Sequence, residues 1–348
     1  MKVGIIGFEF AGKKSLFSLL TGIKKESHLL AKKELGTVDV PDERIEYLAK
    51  YYRTEKKTYS KIEFSLMPSL KNDSEEDKEV LLAAKEVDMF CIVVRQFFDE
   101  SVFHPQGKID FVRDYNKIKD ELLFADLFLV EIRLERINTQ SKTKKSSAND
   151  FEKDLMLRLK DALEKGIFLS ALKLDGDLLK IAKGLNFLTL KPIFVVVNCD
   201  EDKLIHKFEL HKGVKSINIS IKIETEIQML DEKSKLEFLS ALSLNESSLN
   251  RLIKFSYEFG NLISFLTAGP KEVHSWTIEK GTKAHESAGV IHSDIEKGFI
   301  RAEVINFEDF KKAGSETKAR ESDFYRLEGK GYIVKDGDIM DFRFNVSK

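Results

Sequence analysis

A glycine-rich loop near the start of the chain lies between a predicted strand and a predicted helix. Residues 1–7 form a short apolar run typical of a buried parallel strand, and apolar residues recur at helical spacing over 16–20. Between them, residues 7–14 read GFEFAGKK, which matches the phosphate-binding pattern G-x-x-x-x-G-K-[ST] except at its last position. Such a loop directs backbone N–H groups and a helix N-terminus at an anion. It therefore predicts an α/β fold with a mostly parallel sheet and a phosphate site.

The loop keeps the residues that hold phosphate and lacks the one that holds a metal ion. Lys13 would reach the outer phosphates, whereas Lys14 occupies the position of the hydroxyl that ligates Mg²⁺. A cation cannot ligate a metal, although Ser15 follows one place later and is the alternative ligand. The loop residues predicted to contact a nucleotide are Gly7, Phe10, Ala11, Gly12, Lys13, Lys14 and Ser15.

Length and composition limit the class of protein. With 348 residues, 42% of them hydrophobic, two or three domains are expected. A net charge of -1 offers no whole-chain attraction to nucleic acid or to an anionic membrane. Cys91 and Cys199 each lie in an apolar run, which favours buried free thiols in a reducing compartment. Because the first strand starts at once and no apolar stretch approaches the ~18 residues of a membrane span, we expect a cytoplasmic protein without a signal peptide.

Three further apolar runs, at 62–67, 89–94 and 193–197, predict more strands of the parallel sheet. Between the last two, helical stripes over 115–137 and 155–163 predict an inserted antiparallel helical hairpin. Its second helix would have Asn149 or Asp150 as N-cap and Gly166 near its end. The lysines at its tip could contact RNA phosphates or simply be solvated. They are Lys142, Lys144 and Lys145.

The pattern changes after residue 262. A helical stretch over 236–262 is interrupted at 245–248, and alternating runs at 273–278 and 299–304 then predict half-buried strands. A turn at 335–338 would join two more strands, 332–334 and 339–344. Residues 263–348 thus predict a small α+β domain. It carries 14 Lys and Arg against 15 Asp and Glu, so a broad basic RNA-binding face is not predicted.

Taken together, these segments resemble the Obg-like ATPase (YchF) family. The stretches that carry the resemblance most specifically are LTAGPKEV (266–273), IHSDIEKGFIRAEV (291–304) and LEGKGYIV (327–334). The resemblance covers essentially the whole chain. It implies a P-loop G domain over 1–114 and 188–262, the helical hairpin at 115–187, and a C-terminal TGS domain with a β-grasp (ubiquitin-like) fold at 263–348.

The resemblance also implies which residues would recognise the base. The family carries N-x-x-E in place of the N-K-x-D of GTPases, and residues Asn198 through Glu201 match it. This exchange loosens guanine selection and implies ATP, with GTP as the alternative. Residues 220–222, which are Ser220, Ile221 and Lys222, occupy the position of the last base-contacting loop. His104 matches the histidine that the family uses in place of a catalytic glutamine, although a lone histidine can equally have a structural role.

Metal and switch residues depart from the family. Its D-x-x-G aligns with LMPS at 66–69, so neither the aspartate nor the glycine is present. The polar residues 71–77 replace the glycine-rich switch, and the switch-one threonine falls near Leu30. Because Mg²⁺ neutralises charge that develops during phosphoryl transfer, we predict weak or absent Mg²⁺ binding and slow or absent hydrolysis.

The resemblance implies a translation-associated factor that binds the ribosome, and we expect a monomer. We predict a degenerate nucleotide-binding protein in which the ammonium of Lys14 lies where Mg²⁺ would. Two alternatives remain open. One is an active ATPase in which Ser15 is the metal ligand and His104 orients water. The other is a protein-binding scaffold without a nucleotide.

Overall fold

The computed structural model describes residues 1–23, 34–70, 77–143, 147–211 and 213–345. Leu30, the polar segment 71–76 and the tip lysines Lys144 and Lys145 lie outside the described residues. The chain forms two compact units. The first is Met1–Gly36 with Glu63–Leu249, and the second is Thr37–Ile62 with Asn250–Lys348.

Strands and helices alternate along the first part of the chain, except that the third and fourth strands follow one another directly. In chain order they are β1 (Lys2–Ile6), α1 (Lys13–Thr21), β2 (Glu34–Asp39), α2 (Glu43–Tyr52), β3 (Lys57–Thr58), β4 (Lys61–Leu66), α3 (Asp77–Ala84), β5 (Met89–Gln96) and α4 (Phe111–Thr143). The next are α5 (Ser147–Glu164), α6 (Gly176–Gly184), β6 (Ile193–Cys199), β7 (Lys215–Ile219), α7 (Ile221–Gln228), α8 (Glu232–Ala241) and α9 (Ser248–Phe259).

The remaining elements all belong to the second unit. They are β8 (Leu262–Ala268), β9 (Val273–Glu279), α10 (Ala284–Ile291), α11 (Ser293–Lys297), β10 (Phe299–Asn306), α12 (Phe307–Ala313), α13 (Glu316–Glu321), β11 (Arg326–Glu328) and β12 (Asp338–Phe344). Across the described ranges, no helix combines the length and apolar character needed to cross a bilayer.

The first sheet has the strand order β2-β4-β1-β5-β6-β7 within the described residues. Strands β4, β1, β5, β6 and β7 run parallel to one another. Strand β5 is buried at every position but its last, as expected for a parallel strand covered on both faces. Both cysteines lie in this core as free thiols, as predicted. The carboxyl ends of these five parallel strands therefore meet at one edge, where ligands of such sheets bind.

Helices α4 and α5 form the predicted hairpin. Helix α4 has 33 residues, which corresponds to a length of roughly 50 Å. A cluster of buried apolar side chains that includes Val130 and Leu159 joins the two helices. The predicted N-cap at Asn149 or Asp150 is wrong, because α5 already begins at Ser147. Asp150 instead lies in the first turn, where a negative charge is favourable to the helix dipole.

A buried carboxylate ties the hairpin to the segment before β6. Asp126 on α4 accepts hydrogen bonds from the backbone N–H groups of Leu188 and Thr189, at 2.9 and 2.7 Å, and from the Thr189 hydroxyl at 2.7 Å. Burial raises the pKa of Asp126, although these three hydrogen bonds oppose the rise. The carboxylate therefore supplies acceptors to backbone groups that would otherwise be buried without partners.

The second unit contains a mixed sheet, ordered β11-β10-β12-β8-β9-β3 in the described residues. Its central pair, β12 and β8, is parallel, and β10 and β9 flank that pair antiparallel. The predicted strand at 332–334 is wrong, since only an isolated bridge joins Ile333 to Lys283. The reason is that Asp338 accepts hydrogen bonds from the Tyr332 hydroxyl and the Lys335 N–H, which bends this segment into a turn.

Residues 37–62 lie within the range that the sequence assigns to the G domain, yet they pack in the second unit. Strand β3 pairs parallel to β9 through Lys57 and Val273. Ile45 and Leu48 of α2 are fully buried in an apolar cluster with Phe310. The boundaries of the three domains stay a prediction.

Candidate nucleotide site

The glycine-rich loop connects β1 to α1 at the carboxyl edge of the parallel sheet. Gly12 has a φ of 99°, in the left-handed region that disfavours other residues. A Cβ atom there would lie 2.6 Å from Nδ2 of Asn198 and 2.7 Å from Cδ1 of Ile221. At Gly7, a Cβ atom would lie 2.4 Å from the carbonyl oxygen of Val93. The path of the loop thus depends on both glycines.

Lys13 is buried beneath the loop, with 3% of its surface exposed. Its Nζ donates to the carbonyl oxygens of Gly7 and Phe8 and to the hydroxyl of Ser69, the last at 2.7 Å. These contacts use all three N–H donors of an ammonium group. Burial lowers the pKa of Lys13 from 10.5 to about 7, while Glu9 opposes this shift and Lys14 adds to it. The charge on Lys13 therefore changes close to neutral pH.

Lys14 and Ser15 follow at the start of α1. Both line a cavity of about 470 Å³ over the loop, which we call the loop cavity. Its lining consists of Phe8, Glu9, Phe10, Gly12, Lys13, Lys14, Ser15, Ser69, Phe97 and Val102. Lys14 is half-buried and Ser15 is exposed. The first turn of α1 contains no acidic residue, and Glu9 is the one carboxylate among the residues that line this cavity.

A larger cavity of about 940 Å³ lies at the ends of β5, β6 and β7, and we call it the strand-end cavity. It shares Gly12, Ser15, Phe97 and Val102 with the loop cavity, so the two adjoin. Its predicted members are Asn198, Glu201, Ser220, Ile221 and Lys222. Its carboxylates are Asp99, Glu100, Asp200, Glu201 and Asp202, against a single lysine. An elongated ligand with one anionic end and one uncharged, hydrogen-bond-donating end matches this charge distribution.

Asn198 connects the two cavities. Its side chain is 4% exposed, and its Nδ2 donates to the carbonyl oxygen of Ala11 at 3.1 Å. Its Oδ1 accepts from the backbone N–H of Ile221 at 3.3 Å. One amide thus fixes the glycine-rich loop to the start of α7. Of the loop and strand-end residues predicted from the sequence, all but Gly7 and Ala11 line one of the two cavities, and the carbonyl oxygens of those two accept hydrogen bonds from Lys13 and Asn198.

Two residues that shape the site were not predicted from the sequence. Arg95, at 3% exposure, donates to the carbonyl oxygens of Phe97, Asp99, Val102 and Phe103, which organises the loop after β5. An arginine directly after the apolar run of β5 was the available signal. The second missed residue is Ser69, which contacts Lys13 and lines the loop cavity.

Ser69 belongs to the segment in which the metal-supporting aspartate and the switch glycine were predicted to be lost. Leu66 ends β4 and is buried. The Met67 N–H donates to the carbonyl oxygen of Ile5 at 3.1 Å, and the Leu70 N–H donates to that of Gly7 at 3.3 Å. The segment is therefore hydrogen-bonded along the loop that follows β1.

His104 is not brought to either cavity. It is buried, and its Nε2 lies 2.9 Å from Oδ2 of Asp114. Its Nδ1 accepts from the backbone N–H of Gln106 at 3.1 Å, so the Nε2–H tautomer donates to the carboxylate. Both ring nitrogens are thus engaged away from the predicted site residues.

The described residues contain no group of three or more His, Cys, Asp or Glu side chains placed to hold a metal ion. At the loop itself, the positions expected to supply oxygen ligands hold Lys14 and Leu66. Mg²⁺ requires oxygen ligands in near-octahedral geometry. The donor set of these positions therefore does not fit the ion.

Comparisons with known proteins extend over the whole chain. A family model, YchF-GTPase_C, described as a protein of unknown function (DUF933), matches residues 262–345. The Ribosome-binding ATPase YchF of Bacillus subtilis is 36% identical over 365 residues, covering 99% of this chain and 100% of that protein. The protein of the same name from Pasteurella multocida is 37% identical over 361 residues, covering 99% of each.

A solved structure also matches over nearly the whole chain. The Schizosaccharomyces pombe YchF GTPase aligns with a TM-score of 0.85 and 28% identity, covering 99% of this chain and 97% of that one. The predicted fold class is thereby confirmed. Fold and loop together define a P-loop protein with a G domain, an inserted helical hairpin and a C-terminal β-grasp domain. Within that class, the chain belongs to the YchF family, as its resemblance to that family predicted.

Proposed function

We propose that this chain binds ATP across the loop and strand-end cavities without Mg²⁺ and hydrolyses it slowly or not at all. The observation that carries this proposal is the pairing of Lys13 and Lys14 at the loop cavity with the loss of oxygen ligands at positions 14 and 66. The nucleotide would then be a ligand that stabilises one state of the protein.

The phosphates would lie in the loop cavity. Backbone N–H groups of a glycine-rich loop and the N-terminus of α1 favour an anion. Lys13 exchanges its contacts with loop carbonyls for phosphate oxygens, which accept stronger, charge-assisted hydrogen bonds. Lys14 places a second ammonium on the same cavity and offsets part of the remaining charge. As a point charge on a flexible stem, it stabilises a bound anion but does not impose the geometry that phosphoryl transfer needs.

The base would lie in the strand-end cavity. Glu201 and its neighbouring carboxylates offer acceptors to an exocyclic amino group, which adenine presents. Phe97 and Phe98 line the same cavity and offer apolar surface to the ring. GTP is the alternative, since guanine also presents an amino group.

The partner we propose is the ribosome, because the relatives in Bacillus subtilis and Pasteurella multocida are named ribosome-binding ATPases. The protein would act there as a cytoplasmic monomer. Charge does not suggest a broad RNA-binding face, since residues 263–348 carry nearly equal numbers of acidic and basic side chains. Co-sedimentation with ribosomes, followed by cross-linking to identify RNA or protein contacts, tests this part.

The nucleotide proposal is tested by titrating ATP and GTP calorimetrically with excess Mg²⁺ and with EDTA. We expect ATP to bind in EDTA at least as tightly as with excess Mg²⁺, because excess Mg²⁺ converts most of the ATP to its metal complex. Lys14→Ala should weaken ATP binding in EDTA by about tenfold, because it removes one charge-assisted hydrogen bond from a partly exposed site. Lys183→Ala is the matched control, since Lys183 is an exposed lysine on α6, remote in sequence from the loop.

Each alternative predicts a different result. Binding that disappears in EDTA, with phosphate release that is lost in Lys13→Ala, would establish an active ATPase and favour Ser15 as the metal ligand. Ser15 is exposed and lines both cavities, so it is open to that role. If the wild-type protein binds neither nucleotide, the remaining alternative is a protein-binding scaffold that works without a nucleotide.

A further inference from the structure

Ser69 places a hydroxyl group beside the buried ammonium of the phosphate-binding loop. Its Oγ lies 2.7 Å from Nζ of Lys13 and accepts that hydrogen bond. Ser69 is half-buried and lines the loop cavity. A hydroxyl has one donor in addition to its acceptor sites, so Ser69 can accept from Lys13 and donate elsewhere at the same time. Among the described residues, no other hydrogen bond of this hydroxyl is found.

The backbone holds Ser69 in this place before any ligand arrives. On one side, the Met67 N–H donates to the carbonyl oxygen of Ile5 at 3.1 Å. On the other, Leu70 is buried, and its N–H donates to the carbonyl oxygen of Gly7 at 3.3 Å. Pro68 restricts the backbone between these two anchors. The hydroxyl is thus positioned by neighbours that are themselves hydrogen-bonded to β1 and its loop.

We propose that Ser69 is a phosphate-contacting residue that makes the site prefer a nucleoside triphosphate to a diphosphate. In a loop of this kind, the lysine ammonium reaches the outermost phosphates, whereas loop N–H groups hold the inner ones. A hydroxyl hydrogen-bonded to that ammonium lies within reach of the same outer phosphate oxygens. Its O–H would donate to the terminal phosphate while its oxygen continues to accept from Lys13. This inference rests on the proposed nucleotide binding.

The test compares the dissociation constants of ATP and ADP, each measured calorimetrically in EDTA on the full chain. For the wild type we expect ATP to bind more tightly than ADP. Ser69→Ala should weaken ATP binding roughly tenfold, as expected for one hydrogen bond to a charged group, and change ADP binding by less than about twofold. A hydroxyl with only a structural role would change both constants alike.

A second pair of variants separates the hydroxyl from its effect on folding. Ser69→Thr and Ser69→Val have side chains of nearly equal shape and differ in the hydroxyl, and thermal unfolding of both is recorded. We expect Thr to keep the ATP preference and Val to lose it. An ATP to ADP ratio unchanged in both Ser69→Ala and Ser69→Val overturns this inference alone. A wild type that binds neither nucleotide overturns it together with the proposed function.

Discussion

Lys13 should make nucleotide binding sensitive to pH near neutrality. Burial lowers the pKa of its side chain from 10.5 to about 7 in the ligand-free protein. A bound phosphate favours the charged form and raises that pKa again. Above neutral pH, ATP binding must therefore take up a proton. If the pKa in the complex is about 10 or above, the affinity should fall roughly 50-fold between about pH 7 and about pH 9.

Unfolding would not explain such a loss. The unfolded chain keeps this proton up to a pH near 10.5, whereas the folded chain releases it near pH 7. Between these values the unfolded state binds more protons, so the free energy of unfolding rises with pH, by up to roughly 5 kcal/mol from this one group. Stability and nucleotide affinity should therefore change in opposite directions over this window.

The assay is calorimetric titration of ATP in EDTA across this range, in two buffers of different ionisation enthalpy. The difference between the two buffers reports proton uptake, which should approach one proton per ATP bound at about pH 8.5. Lys191→Gln is the control, because burial also lowers the pKa of Lys191, to about 8, while its Nζ contacts the carbonyl oxygens of Ala84 and Lys85. A wild-type affinity that changes by less than about threefold, or a pH dependence that Lys191→Gln abolishes, would refute the assignment to Lys13.

Two further substitutions test how the site is built. Gly12→Ala should abolish ATP binding and lower the melting temperature, because the new Cβ would collide with Asn198 and Ile221 at a backbone φ of 99°; retained affinity in calorimetry would contradict the role of this glycine. Arg95→Gln should weaken ATP binding while leaving tripolyphosphate binding unchanged, because Arg95 orders the loop that lines the strand-end cavity. Equal losses for the two ligands would show that Arg95 acts on the whole unit instead.

Local patterns were sufficient to predict the central strands of the first sheet. Parallel strands buried on both faces read as short apolar runs, so β1, β4, β5 and β6 were predictable from the sequence. The polar or short strands β2, β3 and β7 carry no such run, because edge strands are covered on fewer sides. Local patterns also could not predict to which unit residues 37–62 belong. Their place in the second unit depends on the pairing of β3 with β9, more than 200 residues later in the chain.

The candidate site likewise has some features that the sequence predicted and others that only the structure showed. Residue types at fixed spacing determined the loop, because Gly7, Gly12 and Lys13 act through backbone geometry and charge that a motif records directly. The motif also identified Lys14 as the departure from the metal-binding pattern. The sequence could not show that Asn198 joins the loop to α7, or that His104 lies buried against Asp114 instead of at the cavity.

Tertiary structure decided the protonation of Lys13 and placed Ser69 where it could contact a phosphate. A pKa depends on burial and on neighbouring charges, and Glu9, Lys14 and the surrounding chain come together around Lys13 only after folding. The contact with Ser69 joins residues 56 positions apart, and parallel pairing of β1 with β4 brings them together. The sequence by itself determined that this chain carries a phosphate-binding loop without its metal ligand. The pairing of β4 with β1, which places residues 67–70 beside the loop, decided which groups surround the lysine, because such contacts are set by strand register and not by local spacing.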